Sequence, residues 1–182
     1  INTRESGSLF ELIDNYFTGC NQGLIIRLDN SNRFNHKPTI RGNTFENNVS
    51  PGDSFNLRLN PNIDTIEFEN NTFNNHKSSI GSFGIKLEES ATNINFKLIN
   101  CIFINNIPNA DGGGFKTNDN LNKAILTFDG CTFSNNAANG RGGGLFAQVQ
   151  NKLTITNCNF EDNTATTNGC AICIEPIGSN AV

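Results

Sequence analysis

Six phenylalanines, Phe17, Phe45, Phe73, Phe103, Phe133 and Phe160, recur at spacings of 28, 28, 30, 30 and 27 residues. A near-constant period of this length constrains the fold more than composition does. Each repeat is too small to bury an apolar face alone, so it must bury it against the next copy. The period suits one coil of a parallel β-solenoid.

Offsets from each Phe test that reading. Seven residues before it stand Phe10, Pro38, Ile66, Phe96, Leu126 and Leu153, and five before it Leu12, Ile40, Phe68, Leu98, Phe128 and Ile155. Apolar residues two apart form the inward side of a strand. Three before the anchor come Asp14, Gly42, Asn70, Asn100, Gly130 and Asn157. These residue types tolerate left-handed backbone, so a corner is expected there. The next position, Asn15, Asn43, Asn71, Cys101, Cys131 and Cys158, shares the inward parity of the Phe. Three after the anchor come Cys20, Asn48, His76, Asn106, Asn136 and Asn163. Asn48, Asn106, Asn136 and Asn163 are expected to stack as an inward ladder, passing amide hydrogen bonds from coil to coil. After a variable loop, a third strand turns Leu24, Phe55, Phe83, Phe115, Leu145 and Ile172 inward.

The fold class is therefore all-β: a parallel β-helix of about six coils, with three short strands per coil and a stack roughly 30 Å long at ~4.8 Å per coil. A β-sandwich with accidental periodicity is the competing reading. Agreement of several offsets over six copies weighs against it. No stretch separates domains, so residues 1–182 read as one solenoid, a processed chain or a fragment of a longer one. No evident cap follows the last coil. The solenoid end therefore calls for more chain or for another molecule over it.

Composition narrows the function. Fifteen Phe against one Tyr and no Trp make the aromatics fillers of one dry axis. A net charge of −4 argues against nucleic acid, which calls for a basic face. No run is apolar and long enough to insert into a membrane. Six cysteines in an Asn-rich repetitive chain fit an oxidising, extracellular setting.

Four groups of residues are candidates for more than packing. Cys101, Cys131 and Cys158 stack on successive coils at a spacing within disulfide range. Either two of them bridge, or all three serve as buried thiols. Cys170 and Cys173 point to opposite faces of one strand and do not pair. Arg27, Arg58 and Lys86 share one outward offset. They form either a stripe for an anionic glycan or acidic partner, or an ordinary solvated face. Two glycosylation sequons occur, at Asn48 and Asn70. The ladder buries Asn48, so Asn70 at its corner is the candidate. Loops 29–37 and 104–111 are the expected recognition loops.

Catalysis finds little footing. Asp111, Asp119, Asp129 and Asp162 fall at different offsets, and His36 and His76 are isolated. No nucleophile–base pair stands out. The glycine runs 112–114 and 142–144 precede no helix, so they read as tight turns into the third strand rather than a nucleotide site. One Asp beside a glycine run is too few ligands for calcium. No cofactor and no metal are expected.

The recurring Phe-x-x-Asn (Phe45–Asn48, Phe103–Asn106, Phe133–Asn136, Phe160–Asn163) is followed by Gly-Gly-Gly-Phe at 112–115, Gly-Gly-Gly-Leu at 142–145 and Gly-Cys-Ala-Ile at 169–172. This pattern resembles the repeats of the polymorphic outer-membrane protein family, most strongly from about residue 93 onward. The first three coils depart from it: Cys20 and His76 replace the Asn, and the double glycine is missing. The resemblance implies a right-handed parallel β-helix displayed at a cell surface and acting in adhesion. The reading is a non-catalytic extracellular solenoid with a structural or adhesive role, partnered by copies of itself end to end, by other surface proteins or by glycans. The alternative is a pectate-lyase-like polysaccharide-active fragment.

Overall fold

The computed structural model describes residues 2–3, 11–21, 24–28, 38–51, 55–59, 65–79, 83–87, 94–117, 125–149 and 152–176. Within them the chain is a parallel β-solenoid with three main faces and no helix. The first face stacks Glu11–Ile13, Thr39–Arg41, Thr65–Glu69, Asn95–Ile99, Ile125–Asp129 and Lys152–Thr156. The second stacks Tyr16–Thr18, Thr44–Glu46, Thr72–Asn74, Ile102–Ile104, Thr132–Ser134 and Asn159–Glu161. The third stacks seven strands, from Asn2–Thr3 through Leu24–Leu28, Phe55–Leu59, Phe83–Leu87, Phe115–Thr117 and Leu145–Val149 to Ile172–Pro176. Four turns, anchored on Phe45, Phe73, Phe103 and Phe133, have a neighbour on both sides. Among the described residues, the second-face strands of Phe17 and Phe160 each have one neighbour, so the fully enclosed count is four rather than the six anchors.

A fourth short strand, absent from the expected plan, appears in some coils. Val49–Ser50 pairs with Lys77–Ser78, and Ala137–Ala138 pairs with Thr164–Ala165.

Register follows the period. Phe17, Phe45, Phe73, Phe103, Phe133 and Phe160 are direct partners from strand to strand. Their rings stack at centroid distances of 5.2, 5.0, 4.9, 4.8 and 4.7 Å, with interplanar angles of 9° or less. Offset stacking is favourable for aromatic pairs, and the ~4.8 Å strand spacing imposes it along the whole column. A second column, Leu12, Ile40, Phe68, Leu98, Phe128 and Ile155, runs beside it. Phe115 enters from the third face edge-on to Phe128, at 5.0 Å and 87°. These columns form one continuous apolar core.

Corners fall at the expected positions and at others. Asp14, Gly42, Asn70, Asn100, Gly130 and Asn157 all have φ between 51° and 67°. A second left-handed corner stands two residues after each anchor, at Gly19, Asn47, Asn75, Asn105, Asn135 and Asp162. Asn and Asp reach this region at the least cost among residues with a Cβ.

The glycine runs do more than turn. Gly142 has φ +66°, as a tight turn requires, but Gly143 is fixed by its neighbours. A Cβ there would lie 2.2 Å from the Cys170 carbonyl oxygen and 2.4 Å from that of Thr164, both on the next coil's backbone. Neither backbone can retreat without breaking the coil-to-coil bonds Gly143 N–H to Gly169 O (3.1 Å) and Thr164 N–H to Asn136 O (2.8 Å). Gly143→Ala is therefore expected to lower stability by about 1–3 kcal/mol through overpacking, read as a drop in the denaturant midpoint at unchanged slope. Wild-type stability in that variant would refute the close approach.

Candidate functional site

Buried polar side chains run along the solenoid in two ladders. The expected ladder is present from Asn106 onward. Asn106 N–H and Nδ2 both donate to Asn136 Oδ1 (3.0 and 2.9 Å), and Asn136 N–H and Nδ2 both donate to Asn163 Oδ1 (3.0 and 2.9 Å). Each amide also donates to a backbone carbonyl on the preceding coil: Asn106 to Phe73, Asn136 to Phe103 and Asn163 to Phe133. On the first coils, Asn48 Oδ1 accepts from Cys20 N–H at 2.9 Å.

The second ladder was not foreseen. Asn15 N–H and Nδ2 donate to Asn43 Oδ1, and those of Asn43 donate to Asn71 Oδ1, at 2.9–3.1 Å. The signal was in the sequence: the same offset holds Asn three times and then Cys three times. At Cys101 the ladder changes chemistry.

The three stacked thiols do not bridge. All six cysteines are free, so of the two readings of Cys101, Cys131 and Cys158, a bridge or buried thiols, the arrangement is the second. The sulfurs take the places of the carboxamides and lie against backbone carbonyls. Cys101 Sγ is 3.5 Å from the Phe68 oxygen, Cys131 Sγ is 3.3 Å from that of Leu98, and Cys158 Sγ is 3.2 Å from that of Thr156. The hydrogen bond from the Cys131 thiol to Cys101, together with burial, pushes the Cys131 pKa up. Burial raises that of Cys101 too, but donation from Cys131 and from the Asn71 amides outweighs it and holds Cys101 below its ordinary value. Cys170 is exposed and Cys173 half-buried, unbridged.

A cluster of charged side chains lies outside the third face. Asp111 and Arg141 each stand just before a glycine run, one coil apart. Arg141 N–H donates to Asp111 Oδ1 at 2.8 Å, and its guanidinium forks onto the same carboxylate through Nε (3.2 Å) and Nη2 (2.8 Å). Its Nη1 bonds Glu175, whose other oxygen lies 3.4 Å from Gln148 Nε2. The guanidinium carbon sits 4.5 Å above the Phe146 ring. Phe146 faces outward by strand parity, yet it is only 1% exposed, because the turn carrying Arg141 covers it. Burial raises the Asp111 pKa, but the bonds and charge of Arg141 outweigh it and hold the carboxyl below the usual range. Arg141 rises in turn. Both carboxylates are thus held on one cation, an arrangement suited to fixing a turn on a sheet.

The other candidates are dispersed. Strand register pairs Arg27 with Arg58 and Arg58 with Lys86, so the stripe is continuous along the backbone; those side chains lie outside the described residues. Asn48 is buried in its ladder, and Asn70 is exposed at its left-handed corner. Loop 29–37, with His36, and Asp119 lie outside the described residues. In loop 104–111, Ile107 is exposed and Asn109 accepts from Asn139 at 2.8 Å. Asp129 accepts from Thr156 and Asn157 on the next coil, far from Asp111 in the repeat. Among the described residues no group of three or more His, Cys, Asp or Glu side chains is placed to hold a metal ion, and no helix is long and apolar enough to cross a membrane.

Compared with family models, with curated proteins and with solved structures, the chain matches none.

Proposed function

We propose that the chain is a non-catalytic extracellular β-solenoid with a structural or adhesive role at a cell surface. One observation carries the reading. Ring stack and amide ladders run in register through successive coils, so most buried polar groups serve to join coil to coil. The product is a stiff rod with a dry axis. The Phe-x-x-Asn and glycine repeats add to this through their resemblance to polymorphic outer-membrane proteins, whose solenoids are displayed for adhesion. Partners are other surface proteins, glycans, or a second copy continuing the strand rows end to end, because the end of a solenoid offers unpaired N–H and C=O groups. The exposed Asn70 sequon suits a glycoprotein of the secretory route.

Electron microscopy of native material with an antibody to this chain tests the reading. Label on the cell exterior, on rods or fibres, is expected. Label confined to the cell interior would overturn it.

A polysaccharide-active reading has one observation in its favour: Asp111, Arg141 and Glu175 group on an exposed face. Acid–base hydrolysis needs one carboxyl kept protonated, and Arg141 acts on Asp111 in the opposite sense. Cleavage of a polyuronate that is abolished by Asp111→Ala would establish this second reading. No cleavage across a broad polysaccharide panel would remove it.

A further inference from the structure

The Asn ladder is interrupted at His76. This residue is 0% exposed. Its backbone N–H donates to Asn106 Oδ1 at 3.0 Å, as an Asn rung's would. Its ring does not do what a rung's side chain does: neither Nδ1 nor Nε2 has a hydrogen-bond partner. Two residues on, with the same parity, Ser78 is 7% exposed and its Oγ is also without a partner. Three unpartnered polar atoms thus share one corner of one coil. At the same offset Asn136 both gives and takes bonds along the ladder. A neutral imidazole has one donor and one acceptor in a fixed plane and cannot copy that pattern.

Charge at this corner is sparse. Glu46, on the strand Thr44–Glu46 of the preceding coil, acts on the ring, and Lys77 follows it in the chain with an exposed side chain. Asn47–Ser50 on the preceding coil and Asn105–Ile107 on the following one carry no charge. A proton on the ring would therefore be buried, with one carboxylate near it and only the Asn48 and Phe45 backbone carbonyls beside it, neither at hydrogen-bond geometry to the ring as it stands.

We propose that the corner His76–Ser78 is an acid-labile joint, at which the second and third coils part while the fifth and sixth remain closed. Burial pushes the His76 pKa down to about 4; the Asn48 and Phe45 carbonyls and Glu46 pull the other way more weakly. The sign follows from linkage. Above pH ~6.5 the imidazole is neutral in both closed and open states. As the pH falls below that, the opened coil takes a proton that the closed coil refuses until about pH 4. Opening becomes easier through this window and levels off beneath it. A solenoid coil contacts only its neighbours, so the opening stays local.

Hydrogen–deuterium exchange on the whole chain at pH 7.5 and 4.5, expressed as protection factors, tests the joint. The opening constant of amides in Thr44–Glu46 and Thr72–Ser79 is expected to rise about 70-fold at the lower pH. Amides of Thr132–Ser134 and Leu145–Val149 are expected to change far less. His76→Asn restores a rung and is expected to remove the excess opening of the second and third coils, which separates the effect from carboxylate titration. An equal change along the whole chain, no change at the joint, or the same acid response in His76→Asn would overturn the proposal.

Discussion

Replacing Asn136 by Ala is expected to lower the unfolding free energy by about 3–6 kcal/mol. The side chain accepts two bonds from Asn106 and donates to Asn163 Oδ1 and the Phe103 carbonyl. Truncation strands the Asn106 backbone N–H in a dry interior and takes one donor away from the Phe103 carbonyl. A buried N–H left without a partner costs about 1–3 kcal/mol, and each of the other three lost bonds about 1 kcal/mol more; the position is fully buried. Asn139→Ala is the matched control. Asn139 also donates across coils, to Asn109 at 2.8 Å, but at an exposed site, where solvent replaces the lost bond and the effect stays within about 0.5 kcal/mol. Urea midpoints of the two variants measure the difference. Equal effects would mean that the buried ladder is not what binds coil to coil.

The second large effect is expected from Phe133→Ala, at about 3–5 kcal/mol. Phe133 is fully buried and lies 4.8 Å from Phe103, 4.7 Å from Phe160 and 5.8 Å from Phe128. Its removal opens a cavity in the middle of a column whose spacing is set by strand hydrogen bonds, so neighbouring rings cannot slide in to fill it. Phe160→Ala is expected to cost less, because that ring is only partly buried. Thermal or denaturant unfolding of the pair reads the ordering. The reverse order would place the core elsewhere.

What the sequence disclosed depended on whether one coil was enough to see it. The Phe column, the first-face pairs and the left-handed position before each anchor repeat within every coil, so alignment by period exposes them. Contacts chosen between particular coils were hidden. Asp111 and Arg141 occupy the same place relative to successive glycine runs, yet nothing in either coil alone says that they meet. Phe146 looked outward by parity and is outward, but Arg141 covers it. The ladder through Asn15, Asn43 and Asn71 was visible as a column, but its amide bonds were not read from it. The glycine runs were read as turns. Only the next coil shows that the Cys170 and Thr164 carbonyls exclude a Cβ at Gly143. Ile174, which shares the inward parity of Ile172, is half exposed because no described coil lies beyond it. The choice between a bridge and buried thiols was open for a related reason: spacing permits a bridge, but only the structure shows the sulfurs directed at backbone carbonyls.

Pulsed electron–electron distance measurement between bio-orthogonal spin labels at Tyr16 and Asn159 tests the solenoid most directly without touching the six thiols. Both positions are exposed on the second face and are linked through five successive in-register strand pairs. The account predicts one narrow distribution corresponding to a backbone separation of ~24 Å, five steps of ~4.8 Å. A broad distribution, or a separation of two or three steps, would contradict a rod in which each coil stacks in register on the last.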